Sequence, residues 1–427
     1  MRGGRFLQPA TLIKSIMARK LFDSRGNPTV EVIVTTVESH GEAMAPSGAS
    51  TGIHEAVSYP MGGTDEALRL IQDRIAPRMR GIDAAETETV DHLLHELDGT
   101  NDFSRLGGNT CIAISMATAK AAAASLGIPF FSKLSGRDNG VLPHPLGNVL
   151  GGGKHAGKNA PDIQEFLALP LKARSFAEMA ASNVSVHKKV RALLEKADST
   201  FTGGKGDEGA WAPNLDNTQA IETVSKAAEE VSKESGVRIA VGLDVASSSM
   251  WDSNTGKYVY SREGARRSPG EQVDFVLNLI RTYRLAYVED PVNEEDFQGF
   301  VELTRKAKAC LVCGDDLFTT NTERLAEGIK MFAGNAIIIK PNQIGTLSDT
   351  YKAVRMAKEA GYVPVASHRS GETCDTYLAH LAVGYDCPII KVGVVGGERV
   401  AKVNELIRIE QFLDKKGRIA ELRMIGD

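Results

Sequence analysis

The chain has 427 residues, 42% of them hydrophobic, and a formal net charge of −4. That length and apolar content can bury a large core and predict two domains. The weak negative balance, with no basic stripe carrying interleaved aromatics, gives no nucleic-acid footprint, and no apolar run of about 18 residues predicts a membrane span. Five cysteines, few and odd in number, predict reduced thiols. The opening MRGGRFLQPATLIKS lacks the apolar core of a signal peptide, so a cytoplasmic location is expected.

In chain order, a ragged opening runs to about Ile13. DSRGNPTVEV follows, a turn before alternating Val30, Val32 and Val34, which reads as a half-buried hairpin strand. The stretch 46–56, PSGASTGIHEA, has no periodicity and reads as a loop of small residues able to expose hydroxyls and backbone N–H groups. Helical patterns start near Asp65, Ala85 and Asn109, the last closed by Gly127-Ile128-Pro129. Strands followed by helices predict a small α+β domain over 1–140.

The remainder, 141–427, reads as a barrel. LPHPLGNVL and EFLALPL flank the loop GGGKHAGKNAPDIQ, which is too irregular for a crossover helix, so these two strands are predicted antiparallel. Helices are predicted over roughly 175–197 and 216–235, separated by GGKGDEGAWAPN. Six apolar runs then begin at Ile239, Ala286, Cys310, Ala336, Tyr362 and Ile389, and from Ala286 onward their starts lie 24 to 27 residues apart. That interval fits one strand, one helix and two short loops. The predicted order is ββαα(βα)6, an α/β barrel with one reversed strand. Strand C-termini in such barrels open on one face, so Asp244, Glu289, Asp315, Lys340, His368 and Lys391 are expected to converge.

Two motifs compete for attention. Gly152 to Lys158 matches the spacing of a phosphate loop, but Asn159 stands where Ser or Thr would hold a cation, and no helix is predicted to follow. Cys310 and Cys313 form C-x-x-C without a second pair, on a predicted buried strand, which favours core packing over zinc.

Taken together, DSRGNPTVE from Asp23, SGASTG from Ser47, HAG with QEF at His155 and Gln164, GDEG from Gly206, GLDVASS from Gly242, EDP from Glu289, DD from Asp315, KPNQIGT from Lys340, SHRSGET from Ser367 and Lys391 resemble the enolase family over essentially the whole chain. The resemblance implies an α+β cap on a modified TIM barrel. It also implies cytoplasmic dehydration of 2-phosphoglycerate to phosphoenolpyruvate with two Mg²⁺, and a homo-oligomer; a surface or secreted pool is left open.

Removing a proton next to a carboxylate places a second negative charge on it, which fixed cations must stabilise. By resemblance, Lys340 is the general base and Glu208 the general acid. The metal ligands are Asp244, Glu289, Asp315 and, from the 46–56 loop, Ser50. His155, Gln164, Glu165, Ser367, His368, Arg369, Ser370 and Lys391, with Glu289 and Asp315, contact substrate; Arg369 and Ser370 bind its phosphate. Mg²⁺ and Lys391 are expected to favour the neutral amine of Lys340. Of Asp315 and Asp316, only one is expected to face the pocket, because neighbours on a strand alternate sides, and the resemblance points to the first. Lys154, Ala210-Trp211, Pro341 and the stretch 394–398, VVGGE, depart from the usual family pattern, and the His155 to Glu165 interval is one residue longer than in many members. Another proton-abstracting superfamily member would lack the combined Glu208, His155 and Arg369-Ser370 set. Loss of a metal ligand or of Lys340 would favour a scaffold role, and neither is lost.

Overall fold

The computed structural model describes residues 9–49 and 51–422. Strands Ile13–Phe22, Pro28–Thr36 and His40–Met44 form an antiparallel sheet, covered by helix Gly108–Leu126. The sequence pattern gives no warning of Ile13–Phe22, whose lysines and arginine interrupt its apolar residues. Val30, Val32 and Val34 are buried, as alternation predicts, but Thr29 and Glu31 are buried too. Glu31 sits in the sheet paired with Arg19 across the hairpin, so the strand is covered on both faces there.

Eight strands close into a barrel, ordered Tyr287–Glu289, Leu311–Gly314, Ala336–Ile339, Val363–Ser367, Ile389–Lys391, His144–Gly151, Glu165–Leu171 and Arg238–Asp244. Glu165–Leu171 alone runs against both neighbours; the other pairings are parallel. Reversal puts the first residue of that strand, Glu165, opposite Asp244 at the end of the next. Helices Phe176–Ala197 and Asn217–Ser235 stand where predicted. Ser175 caps the first by accepting from the Glu178 N–H, and Asp216 and Gln219 form a capping box at the second.

The barrel interior is a separate apolar cluster, including Leu167, Leu169, Tyr287, Leu311, Cys313, Ala336, Ile338, Val365 and Ile389, whereas Ile337 and Ile339 belong to the larger outer core. This two-residue period decides which polar side chains follow the inner face. Counting by two from the floor gives Lys340 after Ile338, Asp315 after Cys313, Glu289 after Tyr287, Ser367 after Val365, Lys391 after Ile389, and Glu165 before Leu167 on the reversed strand.

The cap meets the barrel beside these polar ends. Ser47 and Gly371 exchange backbone hydrogen bonds of 2.7 and 2.8 Å, and the Ser24 N–H donates to the Glu372 carbonyl at 2.7 Å. Lys120 pairs with Asp375 at 2.5 Å. Residues 152–158 form a 3-10 turn at Gly153–His155 with no helix after it, so the phosphate-loop spacing has no matching structure. Cys310 and Cys313 are buried free thiols. Among the described residues no helix is long and apolar enough to cross a membrane.

Candidate active site

At the polar end of the barrel a cavity is lined by His155, Gln164, Glu165, Glu208, Asp244, Asp315, Lys340, Ser367, His368, Arg369, Ser370 and Lys391, with Gly48 from the cap. All but two of the site residues expected from the sequence are therefore brought together here. Glu289 lies just beneath, fully buried, and Ser50 lies outside the described residues. The cavity measures about 30 Å³, room for about one water, so internal ion pairs now fill most of the space. A larger cavity of about 1000 Å³, lined by Pro129, Phe412 and their neighbours, shares no residue with it.

The cationic centre is Lys391. Its Nζ lies 2.7 Å from Glu289 Oε1, 2.9 Å from Asp244 Oδ2 and 3.3 Å from Glu165. The Tyr287 hydroxyl, also on the inner face, donates to Glu289 Oε2 at 2.5 Å. Burial and then the charge of Asp244 push Glu289 up to about 8. Lys340 is paired with Asp315, whose other oxygen accepts from Gln343 Nε2 at 2.9 Å. Burial is the largest influence and opposes the charge on Lys340, but Asp315 and Glu289 together hold the ammonium above its ordinary range. The neutral amine expected from the sequence is that of a site with Mg²⁺ in place; here Asp315 touches Lys340 directly. Asp316 does not line the cavity, as strand alternation predicts. Its amide and that of Asp315 both donate, at 2.9 Å, to the carboxylate of Asp290.

A second group gathers around Glu208, in the loop between the two successive helices. Oxygens of Glu165 and Glu208 and a ring nitrogen of His155 lie within 4.8 Å of one another, all buried. Glu208 Oε2 accepts from Asn148 Nδ2 at 3.1 Å and lies 3.3 Å from His368 Nε2. Burial, then the charge of Glu208, push Glu165 well above the carboxylate range. Burial opposes the charge on Glu208, but the two histidines and Arg399 hold it well below that range. The two neighbouring carboxylates are thus pushed in opposite directions, Glu165 up and Glu208 down. Gly206 is required where the loop crosses His155, since a Cβ there would stand 2.1 Å from the His155 carbonyl oxygen.

Arg369 is buried, and both arms of its guanidinium meet Glu55, Nη1 to Oε2 at 3.0 Å and Nη2 to Oε1 at 3.1 Å; Nη1 also donates to Asn342 Oδ1 at 3.0 Å. The Ser370 hydroxyl accepts from the Ala49 N–H at 2.5 Å. Ser367 donates to the His368 carbonyl at 3.0 Å, and Gln164 Oε1 is buried without a hydrogen-bond partner. Glu55, Asn342, Gln343, Tyr287 and Arg399 are the residues that sequence reasoning misses. Glu55 lies inside the loop that pattern singled out, and Asn342-Gln343 inside the KPNQIGT motif, so both had a signal; Tyr287 and Arg399 had none beyond position.

The site fits a hard dication. Asp244, Glu289 and Asp315 end adjoining or successive strands, all are buried, and the upward push on Glu289 is what a nearby positive charge would relieve. The tightest groups of metal-capable atoms among the described residues are nevertheless His155, Glu165 and Glu208, and Asp290, Asp315 and Asp316. The three strand-end carboxylates are instead engaged by the ammonium groups of Lys340 and Lys391.

Comparison with known proteins agrees with this geometry. A family model described as "Enolase, N-terminal domain" matches residues 13–134, and one described as "Enolase, C-terminal TIM barrel domain" matches 139–425. An enolase of Methanosphaera stadtmanae is 54% identical over 404 residues, covering 94% of this chain and 98% of that protein. An enolase of Natronomonas pharaonis is 51% identical, covering 94% and 99%, and one of Pyrobaculum aerophilum is 48% identical, covering 96% and 99%. The cap, the barrel with its one reversed strand, and near full-length identity of about half place this chain in the enolase family, the phosphopyruvate hydratases among the lyases.

Proposed function

We propose that the enzyme interconverts 2-phosphoglycerate and phosphoenolpyruvate with Mg²⁺, using the side chains of the strand-end cavity in the roles the sequence suggests. The observation that carries this reading is that Lys340, Lys391, Arg369, three strand-end carboxylates and the Glu165–Glu208 pair share one buried site. A small substrate bearing both phosphate and carboxylate has a cationic partner for each.

Asp244, Glu289 and Asp315 would hold Mg²⁺, with Ser50 as a further candidate ligand; when bound, the metal supplies positive charge against the second negative charge that develops on the substrate carboxylate. With Asp315 so engaged, burial, Arg369 and Lys391 all favour a neutral Lys340. Its Nζ then takes the α-proton, and the C–H electron pair passes into the substrate carboxylate. Lys391 stays fixed by its carboxylates and faces that charge. Arg369 exchanges Glu55 for the substrate phosphate, which suits the same two-pronged fork, and Ser370 assists. Glu208, in its protonated form, passes its proton to the departing hydroxyl, which leaves as water. His155, Gln164, Ser367 and His368 close around the substrate. A cytoplasmic homo-oligomer accompanies this reading.

The test is formation of phosphoenolpyruvate from 2-phosphoglycerate by the purified full chain, with Mg²⁺ and then with excess chelator. Turnover only with Mg²⁺ supports the reading. No turnover in either, from folded protein, overturns it.

A further inference from the structure

Arg399 is among the largest fully buried side chains of the protein, in helix Gly397–Leu413 just after the unusual VVGGE stretch. Its Nη1 donates to the Arg369 carbonyl at 2.5 Å and lies 2.9 Å from His368 Nδ1, while Nη2 donates to the carbonyls of Ser370 at 2.7 Å and Asp207 at 3.2 Å. One guanidinium thus joins the 368–370 segment to the loop that carries Glu208. The packing leaves no slack: a Cβ on Gly393 would stand 2.4 Å from the Glu208 carbonyl oxygen and 3.0 Å from Arg399 Cγ.

A guanidinium has only donors and does not lose its proton. His368 Nδ1, facing it, can only accept. The Gly393 N–H points at the same nitrogen from 3.3 Å. A neutral imidazole whose Nδ1 accepts carries its proton on Nε2, and Nε2 is the atom 3.3 Å from Glu208 Oε2.

We propose that Arg399 is a positioning residue that locks His368 as the Nε2–H tautomer, so that His368 is a neutral donor to Glu208 and not a second base. The opposite tautomer would turn a lone pair toward the carboxylate and oppose the Arg399 proton with a second proton. Asn148 donates to Oε2, and His368 Nε2, which makes no other hydrogen bond, faces the same oxygen at 3.3 Å, so Oε1 is the oxygen of Glu208 left to carry the proton for the departing hydroxyl. Burial, which pushes His368 down to about 4, keeps the ring neutral around pH 7 in the same arrangement. The tautomer stands on geometry alone; only its kinetic consequence rests on the reading of Glu208 as the acid.

The experiment is two-bond ¹H–¹⁵N NMR of the full chain labelled in histidine, at pH 7, with the His368 signals assigned by their loss in His368→Asn. The expected spectrum has a bare Nδ1 and a protonated Nε2. A proton on Nδ1, or on both nitrogens, overturns the proposal without any variant of Arg399. Arg399→Met, which keeps much of the bulk, is expected to bring a mixed or shifted His368 signal and to lower kcat by ~10²-fold, the low end of what acid-base assistance supplies, while KM changes little. A purely structural role would lower stability and leave the His368 tautomer as it was; that outcome overturns the part given to Arg399. Arg399→Lys, which can still offer Nδ1 a donor, is expected to restore the Nε2–H signal and part of kcat, and it replaces Arg399→Met should the latter not fold. A shifted tautomer with full turnover supports the assignment of Arg399 and counts against Glu208 as the acid.

Discussion

Arg369 and Glu55 meet in a two-pronged ion pair, 3.0 and 3.1 Å, inside the site where a substrate phosphate is proposed to bind. The carboxylate comes from the 46–56 loop of the cap and the guanidinium from the barrel, so an internal anion occupies the fork before any ligand does. Arg369→Lys keeps the charge but cannot hold both Glu55 and Asn342 in the same plane. Loss of one charge-assisted hydrogen bond costs about 1.5–3 kcal/mol, so kcat/KM should fall by roughly 10- to 100-fold. Steady-state kinetics on a folded variant checks this, and an unchanged value moves the phosphate elsewhere.

The same pair makes a prediction about Glu55. Glu55→Gln keeps the shape and removes the competing charge, leaving a buried Arg369 in need of an anion. The variant should be less stable alone and gain more from inorganic phosphate than the parent does. Thermal melts with and without phosphate decide it; equal gains in both proteins would show that Glu55 does not compete for the fork.

Three buried strand-end carboxylates, with Glu289 pushed up to about 8, should respond to Mg²⁺ in stability as well as in turnover. A ligand at 100 times its Kd that binds only the folded state adds about 2.7 kcal/mol. Melting should therefore shift upward with Mg²⁺ and back with chelator. Asp244→Asn should blunt the shift.

Lys340 ends a barrel strand, and Glu208 sits on the loop tied to Arg399, so their roles can be separated. Glu208→Gln should still exchange the α-hydrogen of 2-phosphoglycerate in heavy water while making almost no phosphoenolpyruvate. Lys340→Ala should lose both, by ~10²- to 10⁴-fold. Proton NMR beside the dehydration assay measures the two steps, and exchange surviving in Lys340→Ala alone would reverse the assignment.

His95, on the cap helix Thr87–Asp98, touches Asp349, on the barrel helix Leu347–Glu359, at 2.6 Å. The Asp349 hydrogen bond holds His95 above its ordinary value of 6.5. A raised histidine contributes its full stability below pH 6.5 and loses it as pH climbs through the folded value. Asp349 is held below its ordinary 3.8 despite burial, through His95, Thr346 and Lys352, so its share is present above pH 3.8 and lost in acid. Because the His95 side chain is 42% exposed, screening limits the pair to about 0.5 kcal/mol. His95→Gln should cost more at pH 5.5 than at pH 9 in denaturant unfolding; an equal cost at both would remove the ion pair from the account.

Much of the fold was legible because the barrel repeats one instruction. Apolar runs about 25 residues apart, each turning polar at its end, specify strands, helices and the face on which Asp244, Glu289, Asp315, Lys340 and Lys391 gather. Strand alternation admits only one of Asp315 and Asp316 to the pocket, and the family resemblance picks the first. Ile13–Phe22 escaped notice because an antiparallel sheet beneath a helix accepts charged residues on its open positions, which breaks the apolar pattern.

By itself, then, the sequence determined the ββαα(βα)6 order, the reversed strand and the convergence of Asp244, Glu289, Asp315, Lys340, His368 and Lys391, since these follow from local period and loop length; the other side chains at the polar end were legible only through the family motifs. Tertiary structure alone decided which of those groups are paired. Glu55 reaches Arg369 across 314 positions of chain, Lys391 gathers carboxylates from three other strands, and Arg399 faces His368 from a later helix. The directions in which Lys340, Glu165, Glu208 and His368 are pushed follow from those contacts, because burial and a neighbouring charge each act over a few ångströms of space, and no spacing in the chain records which charges folding brings that close.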